Sequence, residues 1–127
     1  MIMQQSCPVF VEEISKSETT LTSVDEIVGY IKQKIDADPN IVYIAEFDHF
    51  SYTDSLPHGE IAPGIIAAKN ILFCFGPKIP SPYMMALKPR SLGISEVNGT
   101  FVITFLEAPL PIANKTMIEW AESIKNI

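Results

Sequence analysis

Ile94-Ser95-Glu96-Val97-Asn98-Gly99-Thr100-Phe101-Val102-Ile103-Thr104-Phe105-Leu106 is the stretch that decides the fold class. Asn98-Gly99 lies between two strand-like runs, and both residues tolerate the positive φ that a two-residue type I′ turn requires. A hairpin follows. With this loop Val97 pairs with Thr100, so Ile94, Phe101, Ile103 and Phe105 share one face of the pair, and Val97, Val102 and Leu106 share the other. Pro109 and Pro111 stop the second strand.

Downstream, Asn114 is placed to cap a last helix in which Met117, Trp120, Ala121 and Ile124 form an i, i+3, i+4, i+7 stripe. Upstream, Ile65 to Phe75 is apolar and closes on Gly76-Pro77, which predicts a buried strand over 70–75. Pro77, Pro80, Pro82 and Pro89 then leave room for one short helix around Tyr83 to Leu87. Residues 48–64 contain Pro57, Gly59, Pro63 and Gly64 and read as a long loop, of the kind that is usually functional or disordered.

Nearer the N-terminus, Ser23 and Glu26 form a capping box ahead of Val24, Ile27, Val28, Ile31 and Ile35, an apolar stripe at helical spacing. Asp38-Pro39-Asn40 ends that helix. Ile41 to Phe47 is apolar on nearly every residue and reads as a central strand, and Val9 to Ile14 as a first strand. The predicted order is β-α-β-β-β-β-α: an α+β domain, with two helices packed on one face of a mostly antiparallel sheet.

A chain of 127 residues with 47% hydrophobic and 19% charged residues suits one globular domain, 1–127, with its core over about 9–126. Nine Lys and Arg against fifteen Asp and Glu give a net charge of −6, which argues against nucleic acid as a partner because no basic stripe can form. No stretch approaches the roughly 20 apolar residues that span a bilayer, and Met1 to Val11 has no secretory pattern, so the expectation is a cytoplasmic protein that does not engage a membrane. Cys7 and Cys74 are too few and too far apart for a disulfide framework. Cys74, within an apolar run, reads as a small buried hydrophobe, and Cys7 precedes Pro8 near the terminus. Asn98-Gly99-Thr100 matches a glycosylation acceptor but reads here as the turn.

The ordered set of the capped helix, a strand ending in Asp48-His49, a strand running into Phe75-Gly76-Pro77-Lys78, Pro82-Tyr83-Met84 and the hairpin up to Leu106 resembles the domain of unknown function 302 family of small bacterial and archaeal proteins. The resemblance covers about Phe10 to Glu107. It implies a TATA-binding-protein-like curved sheet carrying two helices, and a tendency to form homodimers. By position, the family's Asp-His pair falls on Asp48 and His49, and its Gly-Asn-Pro-Lys loop falls on Gly76, Pro77 and Lys78. The Asn of that loop is absent, and the family's Leu-Pro-Leu-Arg stretch reads Ile94-Ser95-Glu96-Val97.

Two regions carry side chains suited to chemistry. His49 stands with Asp48, Asp54, His58 and Glu60 at a strand end or in the loop beyond it. Such imidazole and carboxylate groups do acid–base work, with His49 and Asp48 as the candidates, or bind a divalent metal, with His49, His58 and Glu60 as the candidates though no metal is expected. No HxH, HExxH or HxxxH spacing is present. The second region, Gly76-Pro77-Lys78 through Met84-Met85 to Lys88-Pro89-Arg90, gathers three of the nine cations in an acidic chain and suits an anion. Its methionines suit an adaptable pocket wall or, with His49, haem ligation. The first expectation is a homodimeric, non-enzymatic domain holding a small anionic or apolar ligand between the His49 loop and the Gly76 to Arg90 segment, through His49, Gly76, Lys78, Met84 and Arg90. The alternatives are an enzyme using His49 as general acid or base, and a protein-interaction or structural module that uses a sheet edge or a Met-rich face.

Overall fold

The computed structural model describes residues 8–127; Cys7 lies outside the described residues. The elements run β1 (Val9–Ser15), α1 (Val24–Asp36), β2 (Ile41–Asp48), α2 (His49–Ser55), β3 (Ile65–Phe75), β4 (Arg90–Val97), β5 (Thr100–Leu106) and α3 (Pro111–Ser123). The five strands form one antiparallel sheet in the order β1-β5-β4-β3-β2. The molecule is therefore α+β, as the hairpin and the capped helix predict.

The β4-β5 hairpin has the expected register, with Val97 opposite Thr100 and Ile94 opposite Ile103. Asn98 and Gly99 take φ of 50° and 80°, the two positive values a type I′ turn demands. Leu92, Ile94, Phe101, Ile103 and Phe105 are buried on one face, where both α1 and α3 pack. The α1 stripe Val24, Ile27, Val28, Ile31 and Ile35 is buried in full, and Ser23 caps it by accepting the Glu26 N–H at 3.1 Å. The Glu26 carboxylate reaches one residue further back than a capping box requires, accepting the Thr22 N–H at 2.7 Å. From α3, Met117, Trp120 and Ala121 enter the same core, and Trp120 meets the Phe73 ring edge-on and stacks near Phe75. The Tyr30 and Ser123 hydroxyls hydrogen-bond at 2.6 Å and tie α1 to α3.

Four sequence expectations are corrected. β2 is an edge strand: Val42, Ile44 and Phe47 are exposed, so its apolar run does not mark a strand covered on both faces. Residues 49–55 form a helix within the predicted long loop, because Asp48 accepts the Ser51 N–H at 2.9 Å and caps a turn that needs no apolar stripe. β3 begins at Ile65, five residues before the predicted start, since Ile65 and Ala67 to Lys69 pair with β4 although none of them is fully buried. Finally, α3 starts at Pro111, whose fixed φ and missing N–H suit a first helical position, and Asn114 lies inside the helix.

The register separates a helix face from an outer face that neither α1 nor α3 covers, with α2 lying against its β2-β3 edge. On the outer face lie Val9, Val11 and Glu13 of β1, Val102, Thr104 and Leu106 of β5, Ser91, Gly93 and Ser95 of β4, Asn70, Leu72 and Cys74 of β3, and Val42, Ala45 and Phe47 of β2. Cys74 is accordingly half-buried there and free, not sealed in the core. Among the described residues no helix is long and apolar enough to cross a membrane.

Candidate functional site: an apolar cavity with a cationic rim

The cavity forms where β3 ends, β4 begins and β5 runs into α3. Gly76 takes φ of 77°, a left-handed conformation that glycine adopts without strain, and its N–H donates to the Asn40 carbonyl at 2.8 Å. The chain is thereby turned out of the sheet. Pro77 and Pro80 cannot extend β3, and residues 82–86 make a short 3-10 turn that returns the chain toward β4. From the other side, Ala108 to Leu110 cross from β5 to α3. These segments border an open cleft of about 240 Å³, walled by Phe75, Pro80, Met84, Leu87, Pro109, Leu110 and Ala113, with Gly76, Pro77, Lys78, Lys88, Arg90 and Ala108 completing the lining.

The polar groups of the rim are held by carbonyls. Lys88 Nζ donates to the carbonyls of Lys78 at 2.8 Å and Phe75 at 3.3 Å, which closes the loop on itself. Arg90 donates to the carbonyls of Leu87 and Leu106, and its Nε is sealed from solvent with no acceptor among the described residues. Gly76, Lys78, Met84 and Arg90, expected from sequence to act together, do line one cavity. Met85 does not join them: it borders a shallower hollow on the other side of the loop, with Cys74, Ile79 and Pro89.

His49 belongs elsewhere. It opens α2, exposed, with Nδ1 3.3 Å from Asn70 Oδ1 and its ring among Phe47 and Tyr52. The hollow it borders includes Ala45, Leu72 and Ser91 on the outer sheet face. Asn70 and Gly76 are six residues apart along an extended strand, roughly 20 Å, so the structure does not place His49 and the Gly76 to Arg90 segment around a common pocket. The Asp48 carboxylate is engaged at the α2 N-terminus, and the Ser51 N–H holds its pKa below the ordinary carboxylate value. Asp54, His58 and Glu60 are exposed. Among the described residues no three His, Cys, Asp or Glu side chains come close enough together to hold a metal ion.

Several residues of the cavity escape sequence reasoning. Ala108, Leu110 and Ala113 reach it only because β5 ends beside β4, and nothing in their local pattern distinguishes them from an ordinary strand-to-helix connection. Asn70, the partner of His49, is likewise found only through the β2-β3 register. A family model described as a family of unknown function (DUF6858) matches residues 1–126. No curated protein and no solved structure matches the chain.

Proposed function

The chain belongs to that DUF6858 family of unknown function, and we propose that it is a single cytoplasmic domain which binds a small, largely apolar ligand in the cavity between Gly76 to Arg90 and Ala108 to Ala113. The observation that carries this reading is the cavity itself: a concave, mainly apolar site with a few convergent polar groups, the usual form of a small-molecule site. Met84 is half-buried in its wall, so Met84→Trp fills the space without touching the sheet. A thermal-shift screen of apolar fragments is expected to find ligands that raise the melting temperature of the wild type by several degrees and leave Met84→Trp unmoved. Failure of every fragment to shift the wild type overturns the reading.

A second feature supports a homodimer. The outer sheet face carries exposed Val9, Val11, Val42 and Leu106, and Glu13 is its one charged residue by register. In a chain of net charge −6, this is a surface on which two copies meet without opposing their charges. The likeness to the domain of unknown function 302 family, with its TATA-binding-protein-like sheet, belongs to the same proposal. An acid–base role for His49 is the alternative, and Asn70 supports it by orienting the ring.

A further inference from the structure

We infer that the free edge of β1 is a docking site for an extended, basic peptide segment of another protein, which adds to the sheet as an antiparallel sixth strand and seats apolar side chains in a slot between β1 and α3. In the ladder to β5, the Glu107 N–H donates to the Pro8 carbonyl at 2.9 Å and the Lys16 N–H to the Gly99 carbonyl at 3.1 Å. The even-numbered residues between them therefore bond toward β5. Val9, Val11 and Glu13 aim their N–H and C=O groups the other way, where β1 has no neighbouring strand. Ser15, next in that series, finds a partner outside the sheet: its N–H donates to the Glu18 carboxylate at 2.9 Å. The opposite edge of the sheet is less suited. β2 is interrupted by a bulge between Tyr43 and Ala45, whereas β1 keeps one register over seven pairs.

The slot measures about 200 Å³ and is walled by Phe10 and Phe105 from the sheet and by Ile118 and Ala121 from α3. Val11 borders it too, although its side chain lies on the outer face by register, so the slot reaches the backbone of the free edge. A strand laid on that edge sets every second side chain on the α3 side, over the slot, and the others beside Val9 and Val11. Charge selects the partner. The slot lining includes Glu12 and Glu122 and no cation, and Glu13 stands on the edge itself. Lys125 answers one of these three, Glu12, at 2.9 Å. A second copy of β1 in this place would bring Glu12 and Glu13 of both chains onto one short ribbon, which like-charge repulsion disfavours, whereas lysines on the added strand meet opposite charge.

The test is fluorescence anisotropy of the full chain with a labelled Lys-Val-Lys-Phe-Lys-Val-Lys peptide, its Glu-for-Lys counterpart, and two N-methylated forms of the basic peptide. With Val and Phe over the slot, the lysines share a face with Val9 and Val11, so it is their N–H groups that meet β1. Methylation of the lysine nitrogens is expected to abolish binding, and methylation of the Val and Phe nitrogens to leave it intact. Val11→Pro removes a donor of the free edge without removing a bond to β5, and should melt within a few degrees of the wild type while weakening the basic peptide at least about tenfold. Glu122→Lys, at an exposed position, should weaken it several-fold. Equal binding of the two methylated forms, or unchanged affinity in a folded Val11→Pro, overturns the added strand. Equal binding of the acidic counterpart overturns the basic partner, and no binding of the basic peptide to the wild type overturns the inference outright. If Val11→Pro does not fold, the methylated pair decides by itself.

Discussion

The side-chain amide of Asn114 brackets the backbone of Ala108: Oδ1 accepts the Ala108 N–H at 2.7 Å and Nδ2 donates to the Ala108 carbonyl at 2.8 Å. One side chain thus satisfies both backbone groups of a buried residue at the cavity wall and anchors the β5 to α3 connection to the first turns of the helix. Asn114→Ala leaves the two backbone groups of a buried residue without their partner, which costs about 1–3 kcal/mol. Urea unfolding is expected to show a lower midpoint with an unchanged slope. Asn114→Asp keeps the acceptor and loses the donor, and should fall between wild type and Asn114→Ala.

A second pair holds the far end of the sheet. Glu96 is 6% exposed on the helix face of β4, and its carboxylate meets Lys16 Nζ at 2.6 Å, while the lysine side chain is 41% exposed. Removing the lysine strands a buried charge, whereas removing both ends does not. Because Lys16 is partly solvated, the expected cost of Lys16→Met is moderate, about 1–3 kcal/mol. The double variant Lys16→Met with Glu96→Leu should recover most of it. A double-mutant cycle by chemical denaturation checks this, and additive losses would refute the coupling.

What was legible in the sequence depended on whether a signal was local. The Asn98-Gly99 turn and the Ser23 cap determine backbone geometry within a few residues, and both stand as read. The rank of β2 in the sheet was not legible. Its apolar run is identical in pattern to that of a strand covered on both faces, whereas on its outer side Val42 is exposed and Phe47 meets only the His49 and Tyr52 rings of α2. Asn114 resembles a cap in sequence for a related reason: Asn is a good helix cap, but Pro111 starts the helix three residues earlier, and the amide serves a backbone six positions away. The cavity was half legible. Its Gly76 to Arg90 side is contiguous in sequence, while its Ala108 to Ala113 side and the distance of His49 follow from strand order alone.

The α2 helix should respond to acid. The Ser51 N–H bond holds the Asp48 pKa below its ordinary value of 3.8, so the ionised group caps the helix in the folded protein. A carboxyl whose folded value is depressed contributes above its unfolded pKa, and that contribution is lost as the pH falls from 3.8 through the folded value. Lowering the pH through this window is expected to increase hydrogen exchange across His49–Ser55 before the sheet is affected. Asp48→Asn, which keeps an oxygen acceptor without a titrating group, should abolish that pH dependence.

The outer sheet face yields the last expectation. Val11 and Leu106 are 56% and 51% exposed, and both lie on the outer face, so a lone subunit loses little packing when either becomes lysine. Two copies meeting face to face would instead bury each new ammonium against valine and leucine, a cost that an interface cannot absorb without a partner charge. Light scattering is therefore expected to give twice 14.1 kDa for the wild type and a single copy for Val11→Lys with Leu106→Lys, at nearly equal melting temperature for the isolated subunit. A wild type that scatters as one copy at every concentration would refute the dimer. The cavity lies where β3, β4 and β5 meet α3, and none of its lining belongs to this face by register, so its ligand binding should be unchanged in the monomeric variant.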